Sequence, residues 1–420
     1  MKEKYNKIDR RDFLKTAGAA GLVGAFASAQ VKAEANKPNA GQKTQEPKFP
    51  QVPKRKLGKT GTEVSCLGLG TNRLDNQIIL RKSIDWGVTY WDTAHSYMGG
   101  NSELQIGKLL SKSPEFRKKL FLVTKASRAR TIEQTEEYLQ DSLARMYTDY
   151  IDLYYGIHDL SDPARLTDEV KHWAESAKKR GLIRFFGFST HSNMPQCLTA
   201  AAKLGWIDAL MTSYNFRLMQ NDEMSSAVDA CHKAGVGLIT MKSVALTHKK
   251  RSMLEAGKKI ETEEDKKLLK RFLEKGFTEG PAKIKFVLED ERISSACVGM
   301  NNVALLTSNV SGVLDKTKFS RSDRDVFAEY ARATCSDYCA GCAAICDSAL
   351  PDMPYLSDIM RYLMYYNSYS QHDRARQLFA EIPRRVRNKL LSTNYSTAEA
   401  RCPQHLPISK LVAEAISKLA

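Results

Sequence analysis

Residues Thr89–Tyr97 read T-Y-W-D-T-A-H-S-Y. Val88, Tyr90 and Trp91 are strand formers, and Ser96, Gly99, Gly100 and Asn101 are strand breakers, so the stretch predicts a buried strand that runs into a loop at Asp92. Two later segments end the same way. Phe121-Leu-Val-Thr-Lys125 is an apolar run closing on Lys125, and Ile151-Asp-Leu-Tyr-Tyr-Gly-Ile-His158 is one closing on His158. One strand ending in a polar residue is an ordinary capped turn. Three in succession, ending in Asp, Lys and His with Tyr97 just past the first, form a constellation. The carboxyl ends of the strands of a closed parallel barrel converge on one mouth, which would bring these four side chains together.

Working outward, strand patterns fall near 64–70, 88–94, 120–126, 150–157, 184–190, 207–214, 237–243 and 294–300, with helical periodicity in each interval. Glycines close several of those helices, at Gly87, Gly181, Gly205 and Gly235. Eight βα units predict an α/β fold, a (β/α)8 TIM barrel rather than an open doubly wound sheet. No G-x-G-x-x-G follows the first strand, since Gly68 and Gly70 lie within it, which argues against a dinucleotide-binding doubly wound domain. At 420 residues the chain has room for a barrel over 51–315 and a small, mainly helical, cysteine-rich domain over 316–420. A highly charged excursion, Leu246–Glu279, separates the seventh strand from its helix.

The motif W-D-T-A-x-x-Y, the strand end V-T-K and the strand-ending His158 resemble the Asp/Tyr/Lys/His tetrad of the aldo-keto reductase family. The turn Lys56-Leu-Gly-Lys-Thr-Gly61 before Val64-Ser-Cys-Leu-Gly-Leu-Gly70 resembles that family's opening, and the likeness covers roughly residues 53 to 313. The resemblance implies a nicotinamide-dependent interconversion of a small-molecule carbonyl or alcohol substrate. It makes Tyr97 the proton donor, Lys125 the ammonium that lowers the Tyr97 pKa, Asp92 the carboxylate that holds Lys125 charged, and His158 the group that orients the carbonyl. The chemistry of the residues agrees: a phenol with a pKa near ~10 gives up a proton more readily beside a fixed positive charge. Singly, His158 reads as a satisfied core histidine and Asp92–Lys125 as a rim ion pair, but neither explains Tyr97 beside them. His95, inside the same motif, receives no role. Arg73, in the loop after the first strand, is a surface arginine or an attractor of an anionic substrate.

For the cofactor, NADP(H) or NAD(H), the resemblance implies carboxamide contacts from Ser189 and Thr190, a contact at Tyr214, and pyrophosphate contacts along Met241-Lys242-Ser243. It places the adenine end along Gly299 to Asn309. The sequence departs from the family at several of these places. Thr190 stands where Asn is frequent, Met211 replaces a Gln, and Asn301, Asn302 and Leu305 occupy positions that elsewhere carry the basic residues gripping a 2′-phosphate. The choice between NAD and NADP stays open.

The N-terminus reads as a twin-arginine export signal over residues 1–33. Arg10-Arg11-Asp-Phe13-Leu14-Lys15 precedes a mildly apolar Ala/Gly stretch and the small-residue pattern Ala27-Ser28-Ala29, with a second candidate cut after Ala33. The export machinery is then a partner and the mature location is periplasmic or extracytoplasmic. Residues 34–50, rich in Lys, Gln, Asn and Pro, read as a linker.

Nine cysteines are present, and five lie beyond residue 330. Cys335-x3-Cys339-x2-Cys342-x3-Cys346 resembles a ferredoxin motif with one extra residue in its first gap, and Cys402-Pro403 resembles the end of a second motif whose other cysteines are missing. Pro354–Tyr365 resembles the tail of aldo-keto reductases carrying a ferredoxin-like extension. In two-cluster ferredoxins the fourth cysteine of each motif serves the other cluster, so one 4Fe-4S cluster on Cys335, Cys339, Cys342 and Cys402 is expected, with Cys346 the orphan. A local set ending in Cys346 is the rival, and disulfides or zinc remain alternatives. Export of a folded, cofactor-loaded protein suits a cluster. Cys66, Cys197, Cys231 and Cys297 read as core residues.

The net charge of +16 is scattered over amphipathic helices with no basic run interleaved with aromatics, so no nucleic acid is expected as a partner. Two further functions compete with an exported oxidoreductase: a redox-partner or sensor protein that exchanges electrons with an electron-transfer partner without turnover, and an envelope protein held by disulfides.

Overall fold

Leu57 and Val64, carried by a short antiparallel hairpin of β1 (Lys54–Lys56) and β2 (Glu63–Ser65), plug the floor of a closed parallel barrel. The protein is described from a computed structural model, over residues 49–245 and 263–420. The export signal, nearly all of the expected linker and the first part of the charged excursion lie outside the described residues.

Eight strands follow in chain order around the barrel: β3 (Leu67–Gly70), β4 (Tyr90–Asp92), β5 (Phe121–Lys125), β6 (Ile151–His158), β7 (Ile183–Thr190), β8 (Ala209–Ser213), β9 (Gly237–Met241) and β10 (Ser295–Gly299), which closes back on β3. Inward side chains such as Tyr90, Phe121, Val123, Leu153, Tyr155 and Ile239 fill the lumen, so it is a packed core with a mouth at one end. The register pairs Asp92 with Val123, and Lys125 lies two residues beyond Val123. Because strand side chains repeat every second residue, Lys125 projects to the same face one layer higher, within reach of Asp92.

The surrounding helices start where the sequence supplies an oxygen cap. Thr131 caps α3 (Ile132–Met146), after α1 (Gln77–Asp85) and α2 (Asn101–Lys112); Thr167 caps α4 (Asp168–Lys179). After α5 (Met194–Leu204), Asn221 caps α6 (Asp222–Lys233). The described part of the charged excursion forms α7 (Glu263–Glu274), and α8 (Glu279–Leu288) and α9 (Val303–Leu314) complete the ring.

The barrel does not end where the sequence suggested. The next helix, α10 (Arg321–Ala333), opens with a reciprocal Ser320/Asp323 capping box and packs Phe327 among Phe216, Phe272, Phe286 and Phe319, the Phe286 ring centroid only 4.0 Å away. The barrel cluster thus extends to Tyr338. A separate core then gathers Ile359, Leu363, Phe379 and Val412 from α12 (Leu356–Tyr369), α13 (His372–Ala380) and α16 (Ile408–Leu419). Three shorter helices, α11 (Ala343–Ala349), α14 (Arg384–Arg387) and α15 (Ser396–Arg401), complete this mainly helical unit. No helix among the described residues is long and apolar enough to cross a membrane.

The C-terminal unit sits over the barrel mouth. Arg361 pairs with Asp159 after β6, Arg128 after β5 pairs with Glu381, and the Asn193 amide donates to the Gly341 carbonyl at 2.8 Å. Gly341 has φ of 77° and a Cβ there would lie 2.2 Å from the His191 carbonyl oxygen, so only glycine permits this approach. Phe327→Ala tests whether α10 belongs to the barrel core: truncating this buried ring is expected to cost about 3–5 kcal/mol in urea unfolding, where a peripheral helix would lose well under half of that.

Candidate active site

Lys125 is almost completely buried, at 1% exposure, and its ammonium is held on three sides. Nζ lies 2.5 Å from Asp92 Oδ1, 2.6 Å from the Thr93 carbonyl and 3.4 Å from the Tyr97 hydroxyl. Tyr97 is delivered by a tight turn after β4 in which Met98, at φ 53°, and two glycines take left-handed conformations. His158, at the end of β6, meets the Tyr97 ring edge-on, and its Nδ1 is 3.2 Å from Ser127 Oγ, which leaves the other ring nitrogen for the cavity it lines. The four side chains named by the sequence therefore converge.

The electrostatics differ from expectation at one of them. Burial is the largest single influence on Lys125 and pulls its pKa down, but Asp92, through charge and hydrogen bond, together with Tyr97 outweighs it and holds the pKa above its ordinary value, so the ammonium is charged. Tyr97 was expected to be depressed. Burial instead pushes its pKa up, and the opposing pull of Lys125 is the smaller effect, so the group is a firmly protonated phenol. Burial, aided by Lys125, Arg374, Arg361 and Arg128, drives the His158 pKa well below normal and keeps the imidazole neutral.

Asp92, Tyr97 and His158 open on a cavity of 460 Å³. Five of the residues expected to contact cofactor line it: Met241, Lys242, Ser243, Gly299 and Asn309. Three do not. The Ser189 hydroxyl accepts from the Asp159 amide, the Thr190 hydroxyl donates to the Ser192 carbonyl, and the Tyr214 hydroxyl donates to Asp290 at 2.8 Å, which turns that ring into the layer between barrel and helices. The residues present nevertheless fit a dinucleotide. Asp92 Oδ2 and Asn309 Oδ1 are buried acceptors with no donor, both in residues of this cavity. Lys242 is a half-buried cation with no acidic partner among the described residues, covered by the Tyr365 ring at 5.0 Å.

The sequence reading missed His191, which lines the same cavity with its Nδ1 3.2 Å from Ser213 Oγ, and whose strand-end position after β7 repeats the signal of His158. It also missed Tyr365, Ser368, Tyr369, Gln371 and Arg374, which come from the C-terminal unit. His95, left without a role, stacks on Tyr138 at 4.1 Å and pairs with Asp141 on α3.

Residues 66–325 match the Aldo/keto reductase family, well over half of the chain. The chain belongs to this family. Residues 7–27 match a twin-arginine translocation signal, so this aldo-keto reductase is an exported oxidoreductase, carried to the periplasm or extracytoplasmic space. Among solved structures, the aldo-keto reductase AKR11C1 from Bacillus halodurans, in its holo form, is similar at 25% identity with a TM-score of 0.54, covering 67% of this chain and 96% of that one. A Pseudomonas aeruginosa protein described as an aldo-keto reductase is similar at 22% identity with a TM-score of 0.48, covering 63% of this chain and 96% of its own.

In the tail of this aldo-keto reductase the charge of Cys402 acts on Cys339, Cys342 and Cys346, and those of Cys339 and Cys342 act on Cys346, whereas Cys335, on the turn after α10, acts on Arg217, which donates to the Ala331 and Thr334 carbonyls. Burial and mutual repulsion push the thiols of Cys339 and Cys346 up to about 12 and that of Cys342 to about 11. All nine cysteines are free thiols, and no group of three or more His, Cys, Asp or Glu among the described residues is placed to hold a metal ion.

The ion pair at the site makes a stability prediction. Lys125→Met leaves the Asp92 carboxylate buried and uncompensated and should cost about 3–5 kcal/mol. The double variant with Asp92→Asn should recover most of that loss in the same urea titration, whereas additive losses would contradict a directly coupled pair.

Proposed function

We propose that the barrel mouth reduces a carbonyl compound, or oxidises the corresponding alcohol, with a nicotinamide cofactor. The observation that carries this reading is the protonated Tyr97 phenol 3.4 Å from a buried, charged Lys125 and beside a neutral His158. Bound cofactor would supply a hydride to the carbonyl carbon. His158 donates a hydrogen bond to the carbonyl oxygen through the ring nitrogen that Ser127 does not engage. Tyr97 delivers its proton to that oxygen as negative charge builds there, which the resting phenol, with its raised pKa, is loaded to do. The phenolate left behind is stabilised by Lys125, whose charge is already fixed by Asp92 and the Thr93 carbonyl, so little reorganisation accompanies the step.

Lys242 and Ser243 would take the pyrophosphate and Gly299 and Asn309 the adenine end. Asn302 spends its side chain as the N-cap of α9, and α9 itself carries no arginine or lysine, so a 2′-phosphate finds no dedicated partner on that helix. Ser189, Thr190 and Tyr214 act on this reading as supports for the mouth rather than as direct contacts. Tyr97→Phe should reduce kcat by about 10²–10⁴-fold. The same variant should still quench nicotinamide fluorescence on binding; retention of wild-type turnover would remove Tyr97 from the proton-donor role.

We further propose that Cys339, Cys342, Cys346 and Cys402 hold one 4Fe-4S cluster that relays electrons or fixes the tail, in place of the set containing Cys335. The donor chemistry supports it: the four are free thiols, Cys346 and Cys402 buried and Cys339 and Cys342 half-buried, and their thiolates are the ligands a cationic iron core takes. Protein purified without oxygen should carry about four irons and a broad visible absorption. Bleaching by NADPH would tie the cluster to the barrel site, and bleaching only by a separate reductant would point to an electron-transfer partner. Colourless, iron-free protein would sink the cluster.

A further inference from the structure

The cavity beside Tyr97 carries more positive charge than the tetrad and the cofactor use. Among the described residues its one lining carboxylate, Asp92, is committed to Lys125, while Lys242 and Arg374 bring two cations. Most carboxylates at the rim are engaged, while Asp347 keeps a buried oxygen without a hydrogen-bond partner among the described residues. Asp159 and Asp358 both hold Arg361, Glu381 holds Arg128, and Asp373 points to Arg376 at 3.8 Å. Arg374, half-buried in the first turn of α13, makes no ion pair or hydrogen bond among the described residues. It rests on two aromatic faces, 5.3 Å from the Tyr97 ring centroid and 5.8 Å from that of Tyr365. It lines three cavities at once, standing where the tetrad chamber meets two wider openings of 630 and 650 Å³.

We propose that Arg374 is the anchor for a carboxylate on the substrate, so that the protein acts on carbonyl compounds that carry a carboxylate group. This rests on the reductase reading above. A guanidinium spread over two rings has its orientation fixed and its N–H edge free, the geometry that takes a carboxylate through two parallel hydrogen bonds. The site favours a single carboxylate over a phosphate dianion. The other half-buried cation of the chamber, Lys242, is assigned to the cofactor, which leaves one fork for the substrate. Ser370 and Gln371, which lead into α13 without a side-chain cap, adjoin the same space, and the free backbone N–H groups of that first turn add a field of the same sign. Anchoring at Arg374 sets an anionic group beside the Tyr97 ring, which orients the carbonyl between Tyr97 and His158. Arg374 is absent from the barrel itself, so the specificity comes from the C-terminal unit.

The test compares 4-carboxybenzaldehyde with its methyl ester as substrates, and the two corresponding benzyl alcohols as calorimetric ligands, in the full-length mature protein. Wild type should prefer the acid in both measurements. Arg374→Met should lower that preference about tenfold, equivalent to about 1.4 kcal/mol, and Arg374→Lys should keep part of it. An unchanged preference in Arg374→Met, or an equal loss on acid and ester, would overturn the anchor; the equal loss would place Arg374 behind Tyr97 instead. Binding that depends on Arg374 without turnover of either aldehyde would support the anchor and remove the reductase reading.

Discussion

A lysine and an aspartate buried together at the top of a barrel set the terms for everything around them. Moving both charges out of water costs several kcal/mol per ion, and an apolar pair of equal volume would serve the fold at least as well. The cost is met by packing elsewhere, in the filled lumen below and the aromatic cluster around Phe327, and the pair then imposes conditions of its own. Lys125 needs Asp92 one layer beneath it, which demands the in-register pairing of β4 with β5. It needs a third acceptor, which the Thr93 carbonyl supplies where the strand gives way to loop. The turn that follows takes positive φ at Met98, Gly99 and Gly100, and that conformation sets the Tyr97 hydroxyl on the remaining side of the ammonium. Strand register, loop strain and proton donor are consequences of one ion pair.

The mouth built by that pair is not finished by the barrel. Its walls on one side are Tyr365, Ser368, Tyr369 and Arg374, from helices with a hydrophobic core of their own. Docking is fixed by the ion pairs of Arg361 and Arg128 and by the backbone contact at Gly341, where a side chain of any size would strike the His191 carbonyl. The cysteine loop and the active-site loop are thus in backbone contact, and a change in one is felt by the other.

These two layers were legible in the sequence to different degrees. The tetrad could be read because strand-end position and residue type are local properties: an apolar run stopping on Lys125 or His158 announces both the strand and its polar tip. Lys242, Gly299 and Asn309 were placed by the family resemblance, and they line the cavity. Tyr214 was placed at the cofactor by motif, but a tyrosine at a strand end has two faces to choose from, and Asp290 with Arg292 claims its hydroxyl on the outer one. The boundary near 316 failed because α10 looks like any amphipathic helix, and periodicity says nothing of which core its apolar face joins. Arg374 and Tyr365 were invisible for the same reason: docking of one unit on another leaves no period in the chain.

An exported enzyme that depends on nicotinamide faces a supply difficulty, since the free cofactor belongs to the cytoplasm. The arrangement of the mouth bears on it. Lys242, the cation proposed to meet the pyrophosphate, lies under the Tyr365 ring, and Tyr369 and Ser368 line the same wall. A dinucleotide seated there would be covered by the C-terminal unit and released only if α12 moved, against the ion pairs of Arg361 with Asp159 and Asp358. Export in the folded state would carry such a cofactor across with the protein. The cover also explains why weak individual contacts, with Met211 in place of an amide and Asn302 in place of a cation, need not mean rapid loss: retention depends on the barrier to opening as well as on the sum of the contacts. The C-terminal unit would then have two tasks, holding the cofactor in and choosing by charge which carbonyl compounds approach it.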